Sequence, residues 1–304
     1  MPNKDKKKKR TLEDYLIERI KKSGYPLEIE LSNLLDIERY VVFNTRYYFD
    51  EDEKQGRDID IYAMPLESHP LEEKLAPFNV RTELVIECKK SDTHAWIFYT
   101  RPSIPVSYVY MSGQYITSVP ELSRFSSESF HWQLKQRVLF TPHSRFERIA
   151  VAYEEIKKAK AGKGGSSRKE IFEAVSQLVK FTCYELHQIH RRISQIARSD
   201  LEHIIVLFPV VVFDGDMFEV RFDSGEPRPE KKNHILLATQ YRCPYRQEVV
   251  RFAVDIVHRS YFREFLQTAR ICFFEIRERI MQNLDELIKR AEDTRAAKLK
   301  EGLK

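Results

Sequence analysis

The sequence predicts an α/β fold in which a mixed sheet is flanked by helices. Three observations carry that reading. Ile204 to Phe213 is apolar throughout, Pro209 included, as a central strand buried on both faces requires. Upstream, Tyr40–Phe49, Arg57–Ala63 and Thr82–Lys90 read as three successive strands rich in β-branched and aromatic residues. Between these groups, Ile171, Ala174, Val175, Leu178, Phe181 and Leu186 recur at helical spacing along one long segment.

The elements follow in order. Residues 1–10 hold six Lys or Arg and read as a disordered basic tail that adds non-specific affinity for phosphates. Thr11 opens a helix, with Asp14 as the capping-box acid and Leu12, Tyr15, Leu16 and Ile20 on one side. Gly24 ends it. Pro26 opens a second helix carrying Leu27, Leu31, Leu34 and Leu35. Tyr40 to Phe49 is one long strand, Asp50 to Gly56 a polar turn, and Arg57 to Ala63 the next strand. A connection with Pro65, Pro70 and Pro77 leads to the strand ending at Lys89.

Residues 91–165 read as a large insertion. Trp96 to Tyr99 is aromatic, and Phe130–Phe140 and Ser144–Lys160 are expected to be helical. Trp96 and Trp132 are candidates to stack on bases, with packing in the core the commoner fate of such residues. Gly162 to Ser167 is a flexible loop without phosphate-loop spacing. Ser167 and Glu170 form a second capping box ahead of the long helix. Beyond Phe213, Asp214-Gly215-Asp216 is expected to be a tight turn. Phe218–Phe222 then pairs back, Gly225–Lys232 is a polar loop, His234–Tyr241 and Glu248–Val257 are strands, and Tyr261–Arg290 is a helix. One domain over residues 11–296 is expected, between the basic tail and a charged tail at 297–304.

Composition narrows the function. A chain of 304 residues, 42% apolar and 32% charged, is globular, and its net charge of +5 does not by itself demand nucleic acid. No apolar run is long enough to span a bilayer, and no apolar signal core follows the basic start, so a cytoplasmic protein without a membrane partner is expected. Cys88, Cys183, Cys243 and Cys272 lack paired spacing, which disfavours a disulfide framework or structural zinc. His187 and His190, beside Arg191 and Arg192, read as a basic helix end rather than a metal site.

The chemistry concentrates between Arg57 and Lys90. Residues two apart on a strand share a face, so Asp58 lies with Asp60, and Glu87 with Lys89, while Cys88 faces away. Pairing of the two strands would bring carboxylates and an ammonium together. Carboxylates are the usual protein ligands of hard cations such as Mg²⁺.

An Ile59-Asp60 step on one strand followed by Glu87-Cys88-Lys89 at the end of the next resembles the PD-(D/E)XK superfamily of restriction-endonuclease-like nucleases. Ile59 stands where the superfamily's name has proline. The resemblance covers Leu27–Lys90 and, loosely, Ser167–Phe213. It implies a restriction-endonuclease-like mixed sheet, with the large insertion following the acid-x-lysine strand. It implies hydrolysis of phosphodiester bonds in nucleic acid, DNA first, by a Mg²⁺- or Mn²⁺-dependent endo- or exonuclease. Asp60 and Glu87, with Asp58 beside them, would hold the metal, and Lys89 would orient the attacking water. Glu28 on the preceding helix would anchor a metal-bound water or second ion, with Glu30 and Glu18 next in line. Gln177, Lys180, Lys90 and Tyr184 are the auxiliary candidates for substrate contact, and a homodimer is admitted. The rival expectation is a non-catalytic nucleic-acid-binding or scaffold protein on the same fold.

Overall fold

A computed structural model of the chain describes residues 11–66, 78–102, 115–117, 147–158, 166–195, 202–222 and 225–282. Both charged tails, the helix expected at Phe130–Phe140, Trp132 and the loop at 162–165 lie outside these residues. Two short helices come first, α1 (Leu12–Lys22) and α2 (Tyr25–Ile37). Thr11 caps α1 through the reciprocal Thr11–Asp14 box that the sequence predicts. Then follow β1 (Tyr40–Asp50), β2 (Gln55–Pro65), β3 (Phe78–Pro102), β4 (Tyr115–Thr117), β5 (Arg148–Lys157) and β6 (Ser166–Ser167). The long helix α3 (Lys169–Gln195) leads to β7 (Glu202–Arg221), β8 (Arg228–Lys231), β9 (His234–Cys243), β10 (Glu248–His258) and α4 (Phe262–Gln282).

All ten strands join one mixed sheet. β1 runs antiparallel to β2, and β2 antiparallel to β3. After α3, the chain returns as β7, parallel to β3 and beside it. A parallel neighbour requires such a crossover. Beyond Lys90, β3 also pairs with β5, which touches β9 at Ala150–Leu237, and β9 continues through β10 to β7. The strands β3, β5, β9, β10 and β7 thus close a ring of pairings.

Two apolar layers cover the sheet. On one face, Leu27, Leu31 and Leu35 of α2 and Phe262, Leu266 and Phe273 of α4 meet Ile61, Ile86, Val210 and Val212. On the other, α3 buries Ile171, Ala174, Leu178, Phe181 and Leu186 against Tyr62, Val85, Leu207 and Val211. Alternate residues of β7 enter the two layers, which is why its run Ile204–Phe213 is apolar at every position. The register with β3 passes Pro209 without a shift.

Several expectations fail here. Ser144–Lys160 is not helical in its described part. Ala, Glu and Lys give the segment helix propensity, but pairing of β5 with Trp96–Tyr99 overrides it. Residues 91–102 and 148–157 belong to the main sheet. Trp96 meets the commoner fate expected of it: it is fully buried and stacks on Phe213 at 3.8 Å, so it packs the core. Asp214-Gly215-Asp216 is no turn. β7 runs straight through it while β3 loops out between Ser91 and Ala95. Gly215 serves a close approach instead: an added Cβ would stand 2.8 Å from the Ser91 carbonyl oxygen. The polar segment 225–232 likewise holds β8, paired along the outer half of β7.

Among the described residues no helix is long and apolar enough to cross a membrane.

Candidate active site

The ladder between β2 and β3 holds only from Ala63–Leu84 to Ile61–Ile86. Beyond that point Asp60 turns its carboxylate toward β3, and its Oδ2 accepts the Cys88 N–H at 2.7 Å. The alternation of β2 breaks here. Ile61 packs in the α2 layer, whereas Ile59 packs in the α3 layer. Strict alternation would have put both on one face.

The neighbouring strand is distorted at the same level. The β1–β2 ladder skips Thr45, the residue level with Asp60, and Thr45 has φ 54°. A β-branched residue in the left-handed region is strained. Thr45→Gly is therefore expected to raise stability by about 0.5–1 kcal/mol, the left-handed penalty less the entropy of glycine. The midpoint of urea unfolding reads this, and an unchanged midpoint would mean the kink costs nothing.

At the end of the β3 apolar run, Glu87 is 2% exposed and its Oε1 accepts from Lys89 Nζ at 2.6 Å. The other oxygen, Oε2, is buried with no hydrogen-bond partner. Burial pushes Glu87 up to about 8, with Asp60 and Glu28 adding to the rise and Lys89 opposing it. Burial also raises Asp60, against the pull of the Cys88 N–H and Lys89 and with help from Asp58. Glu28 projects from α2 into the same field; partial burial and then the Asp60 charge raise it. Burial works against the charge on Lys89, but the attraction of Glu87 and Asp60 outweighs it and holds the ammonium above its ordinary range. One ammonium thus serves three carboxylates.

The remaining sequence candidates lie apart from this centre. Asp58 is exposed on β2 and reaches Asp60 only through its charge. Lys90 is exposed beside Asp214 of β7. Glu30 is tied to Arg259, which also binds Asp214, and Glu18 sits on α1. Tyr184 packs against Tyr48 and Tyr245. His187 stacks on Tyr245 with ring centroids 4.5 Å apart.

Gln177 and Lys180 do share a cavity with Lys89. This recess, of about 800 Å³, runs between α3 and β9 and opens beside the turn after β1. Lys180 Nζ is held there by Asp50 Oδ2 at 2.8 Å and Glu53 Oε1 at 3.3 Å. Arg57 binds the same two acids. The acidic run Asp50–Glu53 is the signal the sequence offers for this clamp, although a polar turn was all it suggested. The recess rings, Tyr153, Phe172 and Tyr241, carry no motif and become visible only once α3 and β9 are packed. The start of α3 is also fixed from a distance: Glu155 of β5 accepts the Ile171 N–H at 2.8 Å, while Ser167 accepts that of Lys169.

A second charged group lies under the far half of α3. Glu185 binds Arg46 at 2.8 Å and Arg192 at 3.1 Å, and Arg81 binds Glu83. Burial pushes Glu83 up to about 8.

No protein family, curated protein or solved structure matches the chain.

The groups beside Lys89 are of the oxygen type that hard divalent cations take. They supply carboxylate oxygens from three elements, one of them buried without a partner, and like charges that a cation would relieve. Among the described residues no group of three or more His, Cys, Asp or Glu side chains lies close enough together to hold a metal ion as it stands. Lys89 occupies one Glu87 oxygen in their place.

Proposed function

We propose that this chain is a metal-dependent nuclease of the PD-(D/E)XK type, hydrolysing phosphodiester bonds in nucleic acid. One observation carries the proposal. Asp60 and the Glu87–Lys89 pair converge where β2 and β3 part, with Glu28 of the preceding helix in the same field. The order α2–β1–β2–β3, then α3 and a parallel β7 beside β3, supports the restriction-endonuclease-like arrangement.

Asp60 and Glu87 would hold the cation and Glu28 would anchor a water beside it. A bound Mg²⁺ or Mn²⁺ polarises the scissile phosphate and acidifies water. The Cys88 N–H fixes Asp60, so one of its oxygens stays oriented without losing charge. The Lys89 ammonium sits against Glu87 and neutralises the carboxylates in the absence of substrate. It then orients the attacking water and offsets charge developing on the phosphate.

A second reading, a non-catalytic nucleic-acid-binding or scaffold protein, is favoured by the same ion pair. Lys89 already holds one Glu87 oxygen, and burial pushes the Glu87 carboxyl up to about 8.

The deciding experiment offers labelled single-stranded, duplex and branched DNA, and RNA, to the full chain with Mg²⁺, Mn²⁺ or EDTA. Metal-dependent cutting that vanishes in Asp60→Asn and Lys89→Ala supports the nuclease. A folded protein that cuts none of these under either metal supports the second reading.

A further inference from the structure

We propose that the recess beside Lys89 receives a single strand of nucleic acid, one or two nucleotides at a time, and excludes an intact duplex. This rests on the nuclease reading for the catalytic step, but not for binding. Three observations carry it.

The first is size. The recess of about 800 Å³ is closed by α3 on one side and β9 on the other. That is the scale of a small-molecule cleft, about 300–1,000 Å³, and it takes bases that have left a stack rather than a double helix.

The second is its aromatic lining. Phe172, on the first turns of α3, is 59% exposed yet faces this cavity, with Tyr153 and Tyr241 on the strands around it. A large apolar ring left in water beside a proposed active site has the properties of a stacking platform. The Tyr241 hydroxyl is already committed to Asp52 at 2.8 Å, so its ring is held in place.

The third is charge. Duplex binding draws its affinity from neutralising many phosphates. The recess lining carries as many carboxylates as cations. Lys180, the best-placed cation, is clamped by Asp50 and Glu53. A surface of that kind grips a polyanion weakly, and stacking must supply the rest. Gln177 offers amide groups to base edges, which every unstacked base presents.

The test measures binding by the full chain in EDTA, by fluorescence anisotropy, to labelled oligo-dT, oligo-dA and a blunt hairpin duplex. Cleavage of the same probes is followed with Mg²⁺. The single strands are expected to bind at least about tenfold tighter than the duplex, with a shallow salt dependence, and Phe172→Ala to weaken them about tenfold. Because Phe172 is mostly exposed, its replacement leaves the fold intact, which circular dichroism verifies. Equal binding of duplex, or strand binding that Phe172→Ala leaves unchanged, overturns the proposal. The two readings separate cleanly. Duplex cutting that depends on Lys89, with no preference for single strands, keeps the nuclease and overturns the single-strand recess. Strand binding weakened by Phe172→Ala in a protein that cuts nothing upholds the recess and overturns the nuclease.

Discussion

Lys89→Ala is expected to lower metal-dependent cleavage by about 10²–10³-fold, the usual loss when one electrostatic stabiliser of a transition state is removed. Two effects act in the same direction. The ammonium that would offset developing charge is gone. In addition, Glu87 loses the one partner of its Oε1, so its buried carboxylate is driven further toward the protonated form, which binds cations poorly. Asp60→Asn is expected to produce a loss at least as large while disturbing the fold less. The amide oxygen still accepts the Cys88 N–H, so the link between β2 and β3 survives and only the charge disappears. Initial rates at saturating Mg²⁺, alongside urea unfolding of both variants, provide the check. Undiminished cleavage in either folded variant would remove the proposed centre from consideration.

The second large effect concerns stability and pH. Glu87 has a folded pKa of about 8 against an ordinary value of 4.5. Below about pH 4.5 it is protonated in both states. Between that pH and about 8 the unfolded chain has released its proton and the folded chain has not. The unfolded state then binds fewer protons, so stability falls as pH rises across that window and levels off above it. Glu87→Gln cannot ionise. In EDTA its melting temperature is expected to match wild type near pH 5 and to exceed it at pH 8. The gap is equivalent to a few kcal/mol, since each tenfold change in proton affinity is worth about 1.4 kcal/mol. Some pH dependence will remain, because Glu83 is raised in the same sense. Added Mg²⁺ should reverse the order at pH 8: wild type gains stability from a cation that the glutamine variant cannot hold. A variant no more stable than wild type at pH 8 in EDTA would show that Lys89 keeps Glu87 ionised at no cost. Equal stabilisation of both proteins by Mg²⁺ would place the cation elsewhere.

Much of this architecture follows from local rules. Thr11 and Asp14 announce a helix start, and the α3 stripe from Ile171 to Leu186 needs nothing distant to be recognised. The same holds for the run Ile204–Phe213, since a strand covered on both sides tolerates apolar residues at every position and the run is short and β-branched. Glu87 and Lys89 meet because residues two apart on a strand must share a face.

Other features depend on partners far along the chain. The segment 148–157 carries helix-forming residues, and becomes a strand only because the extended β3 presents an edge to it. Asp-Gly-Asp at 214–216 has the composition of a turn, yet Gly215 is there so that the Ser91 carbonyl can come close. Trp96 would suit a binding surface, but Phe213 covers it. By itself, then, the sequence determined the element types of highest periodicity and that Glu87 shares a strand face with Lys89, because those follow from backbone geometry within one segment. Only the tertiary structure decided that Asp60 leaves its strand's alternation to meet the Cys88 N–H, that Lys180 is claimed by Asp50 and Glu53, and that Phe172 borders the recess holding Lys89. Each of those depends on where a distant strand or helix stops, and burial and charge take their values from that packing rather than from neighbours in the chain.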